Sequence, residues 1–222
     1  MKTQIKYLSI VSAFFLIVVS SGFAVYAHVE EWEGGTLAGW TANTIDSTVV
    51  YVPTGGNPDG HIQTRGPSPG DFDIGALTEI LDFTGNYAAA GITGASVDLN
   101  FIQGSFDGAW IRFRYLDATQ NGWRYPLTNV FPNSWQTYAV NFDPTWSDLE
   151  ARNAGWITDD DVDPGADPSV SFADTMANVY TAEVRLSGDI NLLAGIDNFA
   201  VIPEPATLTL LALGGLALRK RK

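Results

Sequence analysis

"GASVDLNFIQG" at 94–104 and "AWIRFRYLD" at 109–117 decide the fold. In the first, Val97, Leu99 and Phe101 fall on one side of an extended chain, and Asp98, Asn100 and Ile102 on the other. In the second, Ile111, Phe113 and Tyr115 alternate with Trp110, Arg112, Arg114 and Leu116. A period of two is that of a strand, whose successive side chains point to opposite faces. Each run therefore predicts a strand with one face in a core and one face turned outward.

The same signal recurs on both sides. "TVVYV" (48–52), ended by Pro53, is short, β-branched and aromatic, and so are "GWRYPL" (122–127), "WQTYAVNF" (135–142), "TAEVRLSG" (181–188) and "AGIDNFAVI" (194–202). Turn clusters separate them at "GGNPDG" (55–60), "GPSPGD" (66–71), "DATQNG" (117–122) and "PNS" (132–134). One stretch differs. "TWSDLEARNAGW" (145–156) predicts a short helix, with Ser147 or Asp148 as its cap, Leu149, Arg152 and Trp156 at helical spacing, and Gly155 as its stop. Many short strands and one helix predict an all-β, antiparallel β-sandwich. Seven Trp and twelve Phe suffice to fill its core, and with no Cys there is no disulfide to assist.

Charge narrows the partners. Of twelve basic residues, Lys2, Lys6, Arg219, Lys220, Arg221 and Lys222 lie at the two ends, and the remaining six are all Arg. Only Glu204 among the 25 acids lies outside the middle, which carries 24 acids against six Arg, a net of −18. Such a surface repels phosphate backbones, so nucleic acid is not an expected partner. It suits a solvated surface without a specific ligand, or one that attracts divalent cations.

The N-terminus reads as a secretory signal: Lys2 and Lys6, the apolar run "YLSIVSAFFLIVVSSGF", then Val25-Tyr26-Ala27 with the cut by signal peptidase before His28. An uncleaved anchor is the alternative, but the run is shorter than the ~20 apolar residues of a spanning helix. Without Cys, a lipidated-Cys anchor is excluded.

At the other end stand Pro203-Glu204-Pro205, the apolar run Ala206 to Leu218, and Arg219, Lys220, Arg221 and Lys222. This order resembles the PEP-CTERM sorting signal of bacterial exported proteins. The resemblance implies a protein held transiently in the inner membrane and processed near Pro-Glu-Pro by an exosortase-type transpeptidase. It then goes to the cell surface or the extracellular matrix, often alongside exopolysaccharide production. The lengths agree. Thirteen helical residues span roughly 20 Å at 1.5 Å each, against ~30 Å of hydrocarbon, so the run crosses only with its flanks drawn in. The basic end stays cytoplasmic. A permanent tail anchor is the alternative. The expected division is a signal peptide at 1–27, the sandwich at 28–201, and a sorting signal with a short transmembrane helix at 202–222.

The middle is similar to the laminin-B-like and galactose-binding-like jelly rolls, through "WEGGTLAGW" (32–40), "GGNPDGHI" (55–62), "GNYAAAGITGASVDLNF" (85–101) and "AGIDNFAVIPEP" (194–205). That likeness implies a jelly-roll topology with first and last strands together. It also implies a structural Ca²⁺ held by Glu33 and Asp197, with carbonyls of the 57–60 loop and Asp59. Hard oxygen ligands are what Ca²⁺ takes. Here the motif reads Trp-Glu-Gly-Gly, where the commoner form is Phe-Glu-Asp-Gly. Alternatively, Glu33 and Asp197 are ordinary strand-end polar residues. "DDDVDPGADP" (159–168) places Asp159, Asp161 and Asp163 at EF-hand spacing, but Pro164 stands where Gly is needed and Val170 where Glu is needed. A solvated acidic loop is expected there.

Trp110, Arg112 and Arg114 share the outward strand face and form the candidate carbohydrate-binding set, an aromatic platform beside hydrogen-bond donors. The alternative has the two Arg paired with local acids and Trp110 covering a sheet face. Signals for catalysis are thin. Only His28 and His61 are available, the middle has no Lys, and no G-x-S-x-G occurs. Among 24 acids some glycosidase-like pair always exists, so its presence says little. The expectation is a non-catalytic exported protein that binds carbohydrate, either as a surface or matrix component or as a lectin-like module for the producer's own polysaccharide. A glycan-active hydrolase or lyase is the alternative from another class.

Overall fold

The two alternating runs become the long strands of two different sheets. In the computed structural model, which describes residues 28–45, 47–66, 72–115, 121–161, 170–188 and 191–204, the first run lies in β6 (Ile92–Gln103) and the second in β7 (Phe106–Tyr115). The first sheet orders β3 (Thr48–Val52), β4 (His61–Arg65), β12 (Leu193–Pro203), β6 and β9 (Gln136–Asn141). Its sixth strand, β1 (His28–Glu30), also pairs with β12. The second sheet orders β10 (Ile157–Thr158), β8 (Gly122–Leu127), β7, β11 (Val179–Gly188), β5 (Phe72–Thr78) and β2 (Trp40–Ala42). All these ladders are antiparallel, and the sheets stack as a jelly-roll sandwich.

The alternation sorts residues as the period demands. Val97, Leu99, Ile111 and Phe113 are buried between the sheets. Rings fill both halves of the core: Trp40 packs edge-on against Phe199 at 4.9 Å, and Phe113, Phe142, Trp156 and Phe172 cluster at 5.3–6.4 Å. One polar link crosses the layers, from Thr64 Oγ1 on β4 to the Gly75 carbonyl on β5, at 3.1 Å.

The predicted helix is α2 (Asp148–Asn153); Ser147 caps it, and with Glu150 it forms a reciprocal capping box. Its buried face differs from the expectation. Leu149 is 68% exposed, whereas Ala151 and Trp156 are buried, because a helix this short rests on the sandwich through one contact line. Two further short helices, α1 (Tyr87–Ala90) and α3 (Phe172–Ala177), accompany it where one was expected. Both are capped by polar side chains, Asn86 and Ser171, but are too short to show a helical period in the sequence. The expected signal peptide at 1–27 and the expected sorting helix and basic tail, with Pro205, lie outside the described residues. Among the described residues no helix is long and apolar enough to cross a membrane.

Candidate functional site

The outer face of the second sheet is built in rows set by the strand register. Arg124, Arg112, Glu183 and Leu77 form one row across β8, β7, β11 and β5; Pro126, Trp110, Arg185 and Gly75 form the next. The first of these rows is a buried ionic lattice. Arg112 is 1% exposed and reaches Glu183 Oε2 at 2.9 Å and Asp159 Oδ2 at 2.6 Å. Arg114 joins Glu183 at 2.8 Å, Arg124 joins Asp159 at 2.6 Å, and Asn43 Nδ2 donates to Glu183 Oε1 at 3.0 Å. Burial pushes the Glu183 carboxyl up, but Arg112, Arg114 and Arg185, with Asn43, outweigh it and hold it at about 2.

The second row is the half-exposed strip. Trp110 lies along its own strand, with indole carbons 2.6 and 2.7 Å from where a Cβ on Gly108 would be, so only glycine admits that pose. Arg124 stacks on the same ring at 5.7 Å. Arg185, opposite Trp110, is paired with Asp73. Of the three residues expected to present a ligand surface, the structure leaves Trp110 at the surface, buries Arg112, and ties Arg114 to Glu183. Arg185 and Asp73 supply the polar partners beside Trp110; sequence reasoning missed them, although Arg185 alternates with the apolar positions of "TAEVRLSG".

The second constellation gathers where β12 meets the 53–60 loop. A Cβ on Gly56 would lie 2.6 Å from the Gly60 carbonyl, 2.7 Å from Asp197 Oδ2 and 2.8 Å from the Asp59 carbonyl, so three oxygens converge on one point. The Trp32 carbonyl abuts Gly60, whose N–H donates to Glu33 Oε1 at 3.0 Å. Asp197 is fully buried and accepts the N–H groups of Asn57 at 2.6 Å and Asn198 at 2.8 Å. Behind it, Asp98 Oδ2 accepts the Asn57 and Asn198 side-chain amides at 2.9 and 2.8 Å. Burial pushes the Asp197 carboxyl up; the two N–H donors oppose this, Asp98 and Glu33 add to it, and the result is about 6. Trp32 and Asn198 hold φ of 50° and 49°, left-handed values that are rare outside glycine.

This donor set fits a hard cation: carboxylate and carbonyl oxygens, strained backbone that aims them, and a carboxylate held against its own preference. Glu33 and Asp197 both bond to the 57–60 loop, and Asp59 takes part through its carbonyl. Asp98, Asn57 and Asn198 are additions; Asp98 stands directly opposite Asp197 on the neighbouring strand. Among the described residues no group of three or more His, Cys, Asp or Glu side chains is arranged to hold a metal, so the set depends on main-chain oxygens.

Of the acidic stretch at 159–168, for which a solvated loop was expected, the described residues are Asp159–Asp161, and Asp159 and Asp161 make ion pairs. Asp159 is buried between Arg112 and Arg124. Asp161 accepts from Arg152 at 2.7 Å and from the Thr158 N–H at 2.8 Å. Asp163 lies outside the described residues.

At the end of β12, Pro203 still stands opposite Ile92, and the Glu204 N–H donates to the Gly91 carbonyl at 2.5 Å. Residues 201–222 match the PEP-CTERM protein-sorting motif. The chain carries a PEP-CTERM sorting signal. That signal marks an exported protein, anchored in a membrane by its C-terminus before exosortase-type processing. No curated protein matches the sequence. Among solved structures the chain is similar to a family 11 carbohydrate-binding module of the cellulosomal cellulase Lic26A-Cel5E of Clostridium thermocellum. The identity is 14%, over 82% of this chain and 96% of that one, with a TM-score of 0.52. A family 11 module from Clostridium thermocellum in complex with a β-1,3-1,4-mixed-linked tetrasaccharide gives 14%, 80%, 98% and 0.50. An exo-β-agarase gives 12% and 0.54, over 81% of this chain but 25% of that enzyme. At these identities the likeness is one of fold.

Proposed function

We propose that the sandwich of this PEP-CTERM protein is a non-catalytic carbohydrate-binding module, exported, processed by an exosortase-type transpeptidase and displayed at the cell surface or in the extracellular matrix. The observation that carries this reading is the Trp110 platform, a half-exposed indole packed against Gly108 beside the Arg185–Asp73 pair. The C–H face of a pyranose stacks on the negative face of such a ring, and the ion pair offers donors and acceptors to its hydroxyls. The buried lattice in the adjacent row, which touches the ring through Arg124, holds the platform still, which limits the ordering cost of binding. A structural Ca²⁺ in the Glu33–Asp59–Asp197 cradle would tie the 53–60 loop to β12. Signal peptidase acting before His28 would complete maturation.

The hydrolase alternative draws little support from the buried acids of the two constellations. Glu183 and Asp159 are neutralised by Arg, and Asp98 and Asp197 are buried at 4% and 0% exposure, out of a substrate's reach. The test is retention of the protein on an array of soluble and immobilised polysaccharides. Retention with no release of reducing ends, and its loss by about tenfold in Trp110→Ala, is expected. No retention on any polysaccharide would overturn the reading, and reducing-end release would move it to the hydrolase.

A further inference from the structure

The outer face of the first sheet repeats the arrangement. In register, Val50, Gln63, Gly195 and Asn100 form a row across β3, β4, β12 and β6. Three strand spacings make it about 14 Å long. Gln136 pairs with Leu99, so the preceding Trp135 is level with Asn100. Its indole reaches across the row, with ring carbons 2.7 and 3.1 Å from where a Cβ on Gly195 would stand. Nε1 donates to the Gly55 carbonyl at 2.8 Å, and the buried His61 ring meets it edge-on at 5.2 Å, so the indole is held from two sides. Trp135 itself is half-buried, as is Gln63; Val50 is 52% exposed, and Asn100 Oδ1 has no hydrogen-bond partner.

We infer that Trp135, with Gln63 and Asn100, forms a second carbohydrate platform on the face opposite Trp110, making one domain bivalent for neutral polysaccharide. The inference rests on the carbohydrate-binding reading of the Trp110 face. The ligand chemistry follows from the row. An aromatic plane takes a sugar's C–H face, and amide side chains both donate to and accept from hydroxyls. The row itself carries no charged side chain, so nothing in it pairs with an anionic sugar, whereas a neutral one finds amide partners there. The two platforms lie on opposite sides of a sandwich whose sheets are ~10 Å apart. A single glycan strand running along one face does not reach the other, so the second platform engages a second strand. One domain then links two polymer chains, and many domains gain avidity without new contacts.

The test uses the full-length protein in mild detergent. Affinity electrophoresis against soluble neutral glucans, galactans and mannans selects a polymer, and calorimetry with a short oligosaccharide of that polymer counts sites. The expected result is two oligosaccharides per chain, falling to one in Trp110→Ala and to one in Trp135→Ala. Because Trp135→Ala also loses the Gly55 hydrogen bond and Gln63→Ala a bond to His61, Asn100→Ala provides the second variant. It is expected to weaken one of the two sites by about threefold or more with an unchanged Tm. A single site, abolished by Trp110→Ala and untouched by Trp135→Ala and Asn100→Ala, overturns the second platform while leaving the first in place. Retention by no polymer overturns both.

Discussion

At the scale of single residues, Glu183 is the most constrained side chain. It is wholly buried with three Arg around it, and a buried ion pair is dangerous chiefly when half of it is removed. Glu183→Gln is expected to destabilise the domain by about 3–5 kcal/mol, read as a lower urea midpoint with an unchanged slope. The same residue sets an acid limit. Its folded pKa, about 2, lies below the ordinary Glu value. Its contribution is therefore complete above that ordinary value and is lost as pH falls toward 2, by about 3 kcal/mol in all. Urea midpoints between pH 5 and pH 2 check this, and a midpoint that stays level over that range contradicts it. Gly56 is the matching point in the cradle. A methyl group there would occupy the space where the Gly60, Asp59 and Asp197 oxygens converge. Chelator is expected to lower the Tm of the wild type and leave that of Glu33→Ala and Gly56→Ala unmoved. An equal, unchanged Tm in all three, with and without chelator, removes calcium from the account.

Among the elements, β12 joins most of what matters. It pairs with β6 along its length, with β4 over its first half and β1 over its second, and it carries Gly195 and Asp197. It also carries Pro203, the first residue of the Pro-Glu-Pro signature, and Glu204 follows with its N–H still bonded to the fold. A processing enzyme needs an open, extended segment, and a strand end still bonded to its neighbour opens only by local unfolding. The processed protein is therefore expected to keep Pro203 and Glu204. The mass of its C-terminal peptide decides this, and a product ending at Val201 contradicts it. The strands that alternate cleanly were legible beforehand, β3 and β8 to the residue. Five were not: β1, β2 and β10, of three, three and two residues, because a period cannot show in so few positions, and β4 (HIQTR) and β5 (FDIGALT), because polar residues and a glycine break up their apolar signal.

For the whole molecule, charge and topology act together. A domain with 24 acids and six Arg places four of those Arg on one sheet face, where they meet Asp73, Asp159 and Glu183. The chain enters β1 at His28 beside Val201, so both ends of the sandwich leave from one pole, next to the sorting signal. Both outer faces are thus free of the attachment point, as a module with a platform on each face requires.

The sequence by itself determined what is written in short periods and local order: strand alternation, the Ser147 cap, the all-β class and the three-part export label. These rest on neighbours within a few residues, where covalent geometry links position to direction. The tertiary structure alone decided the partners. Arg112 meets Glu183 across 71 residues, and Asn57 meets Asp197 across 140. Alternation states that Arg112 and Trp110 face away from the core, but not whether an acid from a distant strand waits there. Only strand order and register put a carboxylate under Arg112 and a glycine under Trp135, and so only they decided which outward side chains are spent inside the protein and which remain for a ligand.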